Sequence, residues 1–134
     1  MKAITVRQPW AWAIIYAGKD VENRSWKTNL RGKVAIHAGA GMTRAEYEEG
    51  CESILRRKPK IKIPAYEDMV RSAIVGVVEI VDCVEKSNSP WHVKGQIGFV
   101  LVRPKKLPKP IPCKGALNFW DVPKSVETRI TKPK

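Results

Sequence analysis

The sequence predicts an α+β fold, a small mixed sheet or barrel with two helices. Three observations predict it. Residues 73–84 are dense in β-branched side chains, the composition of a strand buried on both faces for part of its length. Thr43 with Glu46 three residues later is a capping box, which opens a helix running to about Arg57. No repeat and no long linker divides the 134 residues, so a single domain over 1–134 is expected. A chain of that length can bury roughly two-thirds of its unfolded surface and hold a core without staples.

The elements follow in order. Ala3-Ile4-Thr5-Val6 reads as a short strand. Pro9 suits the first turn of a helix, and Trp10 to Ala17 is a compact helical run ending at Gly18. Val21 to Trp26 can be extended. Lys33 to Ala38 is a β-rich run bounded by Gly32 and Gly39. Pro59 ends the helix that Thr43 opens, and Lys58 to Pro64 is a basic loop. Ile97 to Val102 is a strand following Gly95. Pro104 to Pro112 holds four prolines, which bars it from the centre of a sheet. Phe119 to Val122 and Val126 to Ile130 read as short closing strands.

Charge is the strongest compositional signal. Lys and Arg total 25 against 13 Asp and Glu, a net charge of +12. Residues 1–33 hold seven basic and two acidic residues, residues 34–102 nine of each, and residues 103–134 nine and two. The excess sits at the two ends, which would make one basic face if the fold brings them together. Such a face attracts polyanions by Coulomb steering and counterion release. A basic amphipathic membrane helix fits less well, because the basic ends are rich in Pro and lack a long helical period. No apolar run approaches the ~20 residues of a membrane span. The N-terminal apolar stretch lacks the charged leader and cleavage site of a signal peptide. Cys51, Cys83 and Cys113 are odd in number and far apart, which favours a reducing, cytoplasmic setting over a disulfide framework.

Four constellations carry chemistry. Gln8-Pro9-Trp10-Ala11-Trp12 is a rigid turn whose amide and indoles can stack a base and bond its edge. The plain alternative is a helix start that buries its tryptophans, which suits Trp12 and leaves Trp10 open. In Lys19 to Trp26, an extended chain would put Glu22, Arg24 and Trp26 on one face. There Glu accepts from amino groups, Arg donates to a carbonyl or phosphate, and Trp stacks. Lys19 adds a charge, or a nucleophile or base if desolvated. An ordinary surface Glu–Arg pair weighs equally on spacing alone. His37 ends a strand, and a lone His is more often a structural hydrogen-bonder than a catalyst. With only His92 to join it and no Cys at ligand spacing, no metal site is expected, nor any other cofactor. In Pro112-Cys113-Lys114-Gly115, Gly115 permits a close backbone approach and Lys114 a phosphate contact. The sequence holds no P-loop, G-x-G-x-x-G or G-x-S-x-G motif.

Taken together, these segments resemble the ASCH domain (activating signal cointegrator homology). The resemblance rests on Ile4 to Ala11, on Lys19 to Trp26, and on Arg31-Gly32. Ile74 to Cys83, Gly98 to Leu101 and Pro112 to Gly115 fit the later strands. The most specific part is the signature G-x-K-x-x-E-x-R, in which Lys19, Glu22 and Arg24 match in place. Ala17 stands where the family has Gly, and Gly18 fills the next position. The resemblance implies a PUA-like mixed β-barrel with flanking helices and a cleft beside the signature. It also implies binding of RNA or other nucleic acid. Some small members of the family are amidohydrolases that deacetylate N4-acetylcytidine with a Lys, a Thr three residues later and a distant Glu. Lys19 matches that Lys, and Glu22 stands in the Thr position.

The function expected is therefore binding of RNA or single-stranded nucleic acid by a monomer. Gln8, Trp10, Lys19, Glu22, Arg24, Trp26, His37 and Lys114 are the expected contacts. The alternative is an amidohydrolase acting on an N4-acylated cytidine or a related modified nucleoside, with Lys19 and Glu22 catalytic.

Overall fold

The computed structural model describes residues 1–131. Strand β1 (Lys2–Val6) leads to helix α1 (Trp10–Tyr16), strands β2 (Val21–Arg24) and β3 (Gly32–Ala38), and helix α2 (Arg44–Arg57). A 3-10 turn at Tyr66–Asp68 precedes β4 (Ala73–Val84) and β5 (Ile97–Pro112), then β6 (Phe119–Asp121) and helix α3 (Lys124–Thr131). The strands form one six-stranded sheet in the order β2-β5-β4-β3-β1-β6. β1 and β3 run parallel, and every other pair is antiparallel. The fold is thus α+β, a sheet curled into a half-barrel with three helices.

The curl has a local cause. The β4–β5 ladder shifts register three times, at Ile74/Gly76, Val77/Glu79 and Ile80/Asp82. Each such bulge adds right-handed twist. At one of them Arg103 takes φ 51°, and its guanidinium grips Glu79 through two hydrogen bonds. The sheet wraps a core built from Ile4, Ile14, Val34, Ile36, Val78 and Phe99. Helix α1 supplies Ala11 and Ile14 to that core and packs on β3, β4 and β5. Gly76 allows this contact, since a Cβ there would lie 2.6 Å from Ile15 Cδ1.

One expectation holds and one changes. Pro104 to Pro112 stays out of the centre of the sheet, as expected: it is the second half of β5, where the ladder with β2 has ended at Val100, save one bond from Leu101 N–H to Asp20 O, and β4 alone is the partner. An edge tolerates residues that cannot donate. Val126 to Ile130 is helix rather than strand, so there are three helices instead of two. Val126 and Ile130 fit either period, but Pro123 decides: its carbonyl accepts from both Val126 N–H and Glu127 N–H, starting a turn of helix. The two apolar side chains then face Ala3, Ala35 and Ile74.

The ends of the chain do meet. β6 pairs with β1, and α3 packs near Leu107 of β5. Part of their charge is answered locally, Lys2 by Asp121, Arg7 by Glu46 and Arg103 by Glu79. The capping box of α2 forms as read, with Glu46 N–H donating to Thr43 Oγ1 at 3.1 Å and Thr43 N–H to Glu46 Oε1 at 2.8 Å. Among the described residues, no helix is long and apolar enough to cross a membrane.

Helix α2 seats on the turn before α1 through Gly50, where a Cβ would lie 2.7 Å from Pro9 Cδ. In an exposed helix, Gly→Ala would stabilise by about 1 kcal/mol. Here the sign reverses: Gly50→Ala is expected to lower the unfolding free energy by about 1–3 kcal/mol through overpacking, read from urea titration.

Candidate functional site

Helix α1 stops at Gly18, whose φ of 74° is the left-handed turn that favours glycine. The turn lets Lys19 N–H donate back to Ala13 O at 3.1 Å and aims the Lys19 side chain inward. Lys19 is 5% exposed and Glu22 8%. Lys19 Nζ donates to Val21 O at 2.6 Å and to Glu22 Oε1 at 3.0 Å. The period of two in β2 sets Glu22 and Arg24 on one face, and Arg24 Nε donates to Glu22 Oε2 at 2.9 Å. Arg24 Nη2 then reaches Thr5 O on β1, also at 2.9 Å. One carboxylate therefore holds two cations, one on each oxygen. The cost of burying such charges is offset only when every lone pair and proton is met.

This chain lies at a cavity of about 500 Å³ whose lining includes Thr5, Arg7, Trp10, Asn23, Ser53, Arg57 and Trp91. The Lys19 ammonium sits 5.8 Å from the Trp10 ring centroid. Trp91 comes from the β4–β5 loop, which is pinned from two sides. Asn23 Nδ2 donates to Trp91 O at 2.9 Å, and Val93 N–H donates to Asn23 Oδ1 at 2.8 Å. Arg57, at the end of α2, donates to Pro90 O at 2.7 Å and lies 4.9 Å over the Trp91 ring. Arg7 is held by Glu46 at 2.6 Å, and that guanidinium draws the Glu46 carboxyl down to about 2. A second cavity of about 540 Å³ is lined by residues of the same β4–β5 loop, but no buried charge lines it.

Of the expected contacts, Trp10, Lys19, Glu22 and Arg24 come together here. Four others do not line the cavity. Gln8 is buried and used by the backbone: its Oε1 accepts from Trp12 N–H at 2.8 Å, capping α1, and its Nε2 donates to Val70 O at 2.9 Å. Trp26 packs edge-on against Phe99 and Phe119. His37 is 2% exposed, with Nε2 donating to Cys113 O at 2.7 Å and Nδ1 beside Thr5 Oγ1 at 3.1 Å. The carbonyl can only accept, which assigns the ring proton to Nε2. Lys114 is exposed in the loop after β5. The close approach at Gly115 is to this same cluster, since a Cβ would lie 2.6 Å from Thr5 Oγ1 and 2.7 Å from His37 Cε1. Burial raises the Cys113 thiol, which disfavours a thiolate nucleophile. Among the described residues, no three His, Cys, Asp or Glu side chains gather as a metal site.

The cavity residues that the sequence reading missed are chiefly Arg57 and Trp91. Each left a trace. Arg57 belongs to a run, Arg56 to Lys62, with five basic and no acidic residues. Trp91 is a large aromatic stranded among loop residues.

The sequence pattern of the ASCH domain matches residues 4–111. Among curated proteins, activating signal cointegrator 1 of Homo sapiens is 25% identical over 144 aligned residues, covering 96% of this chain and 23% of the relative. Its Mus musculus counterpart is 22% identical over 138, again with 96% and 23% coverage. The chain thus spans less than a quarter of the length of these relatives.

Two predictions follow from the geometry. Replacing Glu22 by Ala leaves the buried Lys19 and the half-buried Arg24 without their shared anion. The expected loss is about 3–5 kcal/mol of stability, against a small effect for the exposed Lys27–Glu85 pair, both read from denaturant midpoints. Burial pushes the His37 imidazole below its usual range, so the native state resists its protonation. The unfolded chain takes up that proton below about pH 6.5, so stability is full above that pH and falls as the pH drops. The slope contributed is at most about 1.4 kcal/mol per pH unit, and His37→Gln should flatten it.

Proposed function

The chain belongs to the ASCH domain family, and from that premise we propose that it is a nucleic-acid-binding domain whose cavity at Lys19, Glu22 and Arg24 receives one nucleotide of an RNA or other single strand. The family is linked to RNA binding. One observation carries the finer reading: the buried Lys19–Glu22 pair and the half-buried Arg24 bonded to it lie at a cavity that two indoles and Arg57 also line. Indoles supply sequence-tolerant stacking, worth about 1–3 kcal/mol per base in single-strand binders. Cations fix the backbone and make affinity salt-dependent. The basic run from Arg56 to Lys62 continues past the cavity wall, and Lys58 Nζ comes within 3.8 Å of where a Cβ on Gly18 would be. That run extends the path a phosphate backbone would follow. On this reading residues 1–134 act as one domain and as a monomer.

A single observation favours the alternative chemistry, the contact of a lysine ammonium with a carboxylate at the cavity. One experiment separates the two. Single-stranded RNA is titrated at two salt concentrations against the wild type and Arg24→Gln, with tryptophan fluorescence as readout. Binding should weaken steeply with salt and fall about tenfold in the variant, whose fold is checked by circular dichroism. Unchanged affinity in a folded Arg24→Gln removes the cavity from the binding site. In parallel, N4-acetylcytidine is incubated with the protein. Release of cytidine that disappears in Lys19→Met would establish the amidohydrolase instead.

A further inference from the structure

The hydrogen-bonding groups of the cavity divide unevenly, and the division restricts its ligand. Glu22, the acceptor that could have read a base amino group, is engaged on both oxygens by Lys19 and Arg24. Thr5 O is taken by Arg24, and Asn23 is closed at both ends of its amide. Each of these acceptors already holds a donor, while several N–H groups at the cavity hold nothing. Lys19 uses its ammonium on two acceptors and keeps a third hydrogen. Arg24 bonds through Nε and Nη2, and Arg57 through Nε and Nη1. Among the described residues, Arg24 Nη1 and Arg57 Nη2 make no hydrogen bond. No fully enclosed side-chain nitrogen or oxygen among the described residues lacks a partner, so these open donors are reached by solvent.

The charges divide in the same way. Lys19 and Arg24 face a single carboxylate, which leaves one positive charge over. Arg7 is answered by Glu46. Arg57 has no carboxylate within ion-pair distance among the described residues, and its contacts are neutral: Ser53, Pro90 O and the Trp91 ring. Two positive charges are therefore unanswered at one cavity.

We propose that the group seated there is a phosphomonoester: the phosphorylated end of a nucleic-acid strand, or a nucleoside monophosphate. This rests on the nucleotide-binding reading above and narrows it. A phosphomonoester carries about −1.5 to −2 charge at neutral pH and three acceptor oxygens. It matches two open charges and the unbonded N–H groups beside them. An internal phosphodiester brings only about one charge. The amino edge of cytosine or adenine would have to share Glu22 with Lys19 and Arg24, and would leave both charges without a counter-ion. The keto edge of uracil or guanine would meet the donors and leave both charges without a counter-ion. Glu22 is then a positioning residue, which holds Lys19 and Arg24 without touching the ligand, while Arg24, Arg57 and Lys19 grip the phosphate.

The test uses one short single-stranded RNA sequence in three forms: 5′-phosphorylated, 3′-phosphorylated, and hydroxyl at both ends. A nucleoside monophosphate forms a fourth arm. One phosphorylated end should bind about tenfold or more tighter than the hydroxyl-ended strand. Arg57→Gln should shrink that ratio to about twofold or less, and Arg57→Lys should keep most of it. Equal affinity for all three strands, with loss in Arg24→Gln, overturns the phosphomonoester and leaves the nucleic-acid reading standing. A preference that survives in both Arg57→Gln and Arg24→Gln places the phosphate elsewhere and also overturns it. Tight binding of the mononucleotide alone supports the phosphate and removes the strand. No binding in any arm removes both.

Discussion

One carboxylate holds the site together. Glu22 gives one oxygen to Lys19 and the other to Arg24, and each cation has a further tie, Lys19 to Val21 O and Arg24 to Thr5 O. The last of these joins β2, an edge of the sheet, to β1, which lies four places away in the strand order. A curled sheet brings such strands close, and the guanidinium fills the gap between them. The curl in turn depends on the three register shifts between β4 and β5. A flat ladder would leave Thr5 O beyond the reach of Arg24, and Glu22 would lose the arrangement that offsets its burial.

The opposite wall depends on a second convergence. Asn23 sits between Glu22 and Arg24 with its side chain on the other face of the strand, where it holds the Trp91 loop. Arg57 holds the same loop from α2, and Gly50 lets α2 lie close on Pro9. Consecutive residues of one short strand thus build the floor and anchor the wall. This is why β2, only four residues long, governs the cavity.

Much of this was legible in the sequence, and the gaps have physical reasons. Period two along Val21 to Trp26 put Glu22 and Arg24 on one face, as found. It put Trp26 there too, but β2 ends at Arg24, and Trp26 turns into the aromatic cluster of Phe99 and Phe119. Gln8 looked like a reader because an amide beside Trp10 can bond a base edge. It caps α1 instead, because the proline beside it has no side-chain oxygen to offer the first turn. The charge partition assigned the excess to the chain ends and gave residues 34–102 no net charge. Yet Arg57 comes from that middle segment, because its acids and bases segregate along α2 and the loop that follows. Three segments are too coarse for a cavity that Arg7, Lys19, Arg24 and Arg57 all line.

The arrangement around Lys19 also bears on whether the cavity holds or transforms its ligand. A lysine that serves as a base must pass a proton onward. Here two of the three ammonium hydrogens point at fixed acceptors, Val21 O and Glu22 Oε1. Glu22, the natural relay, is gripped on its other oxygen by Arg24. A proton moving from Lys19 to Glu22 would weaken the carboxylate's bond to Arg24 and break the charge pairing that offsets the burial of Lys19 and Glu22. Holding an anion asks for none of this. The third hydrogen of Lys19 and the free edges of Arg24 and Arg57 are already the donors an anion needs, and the bonds behind them keep those donors in place before the ligand arrives.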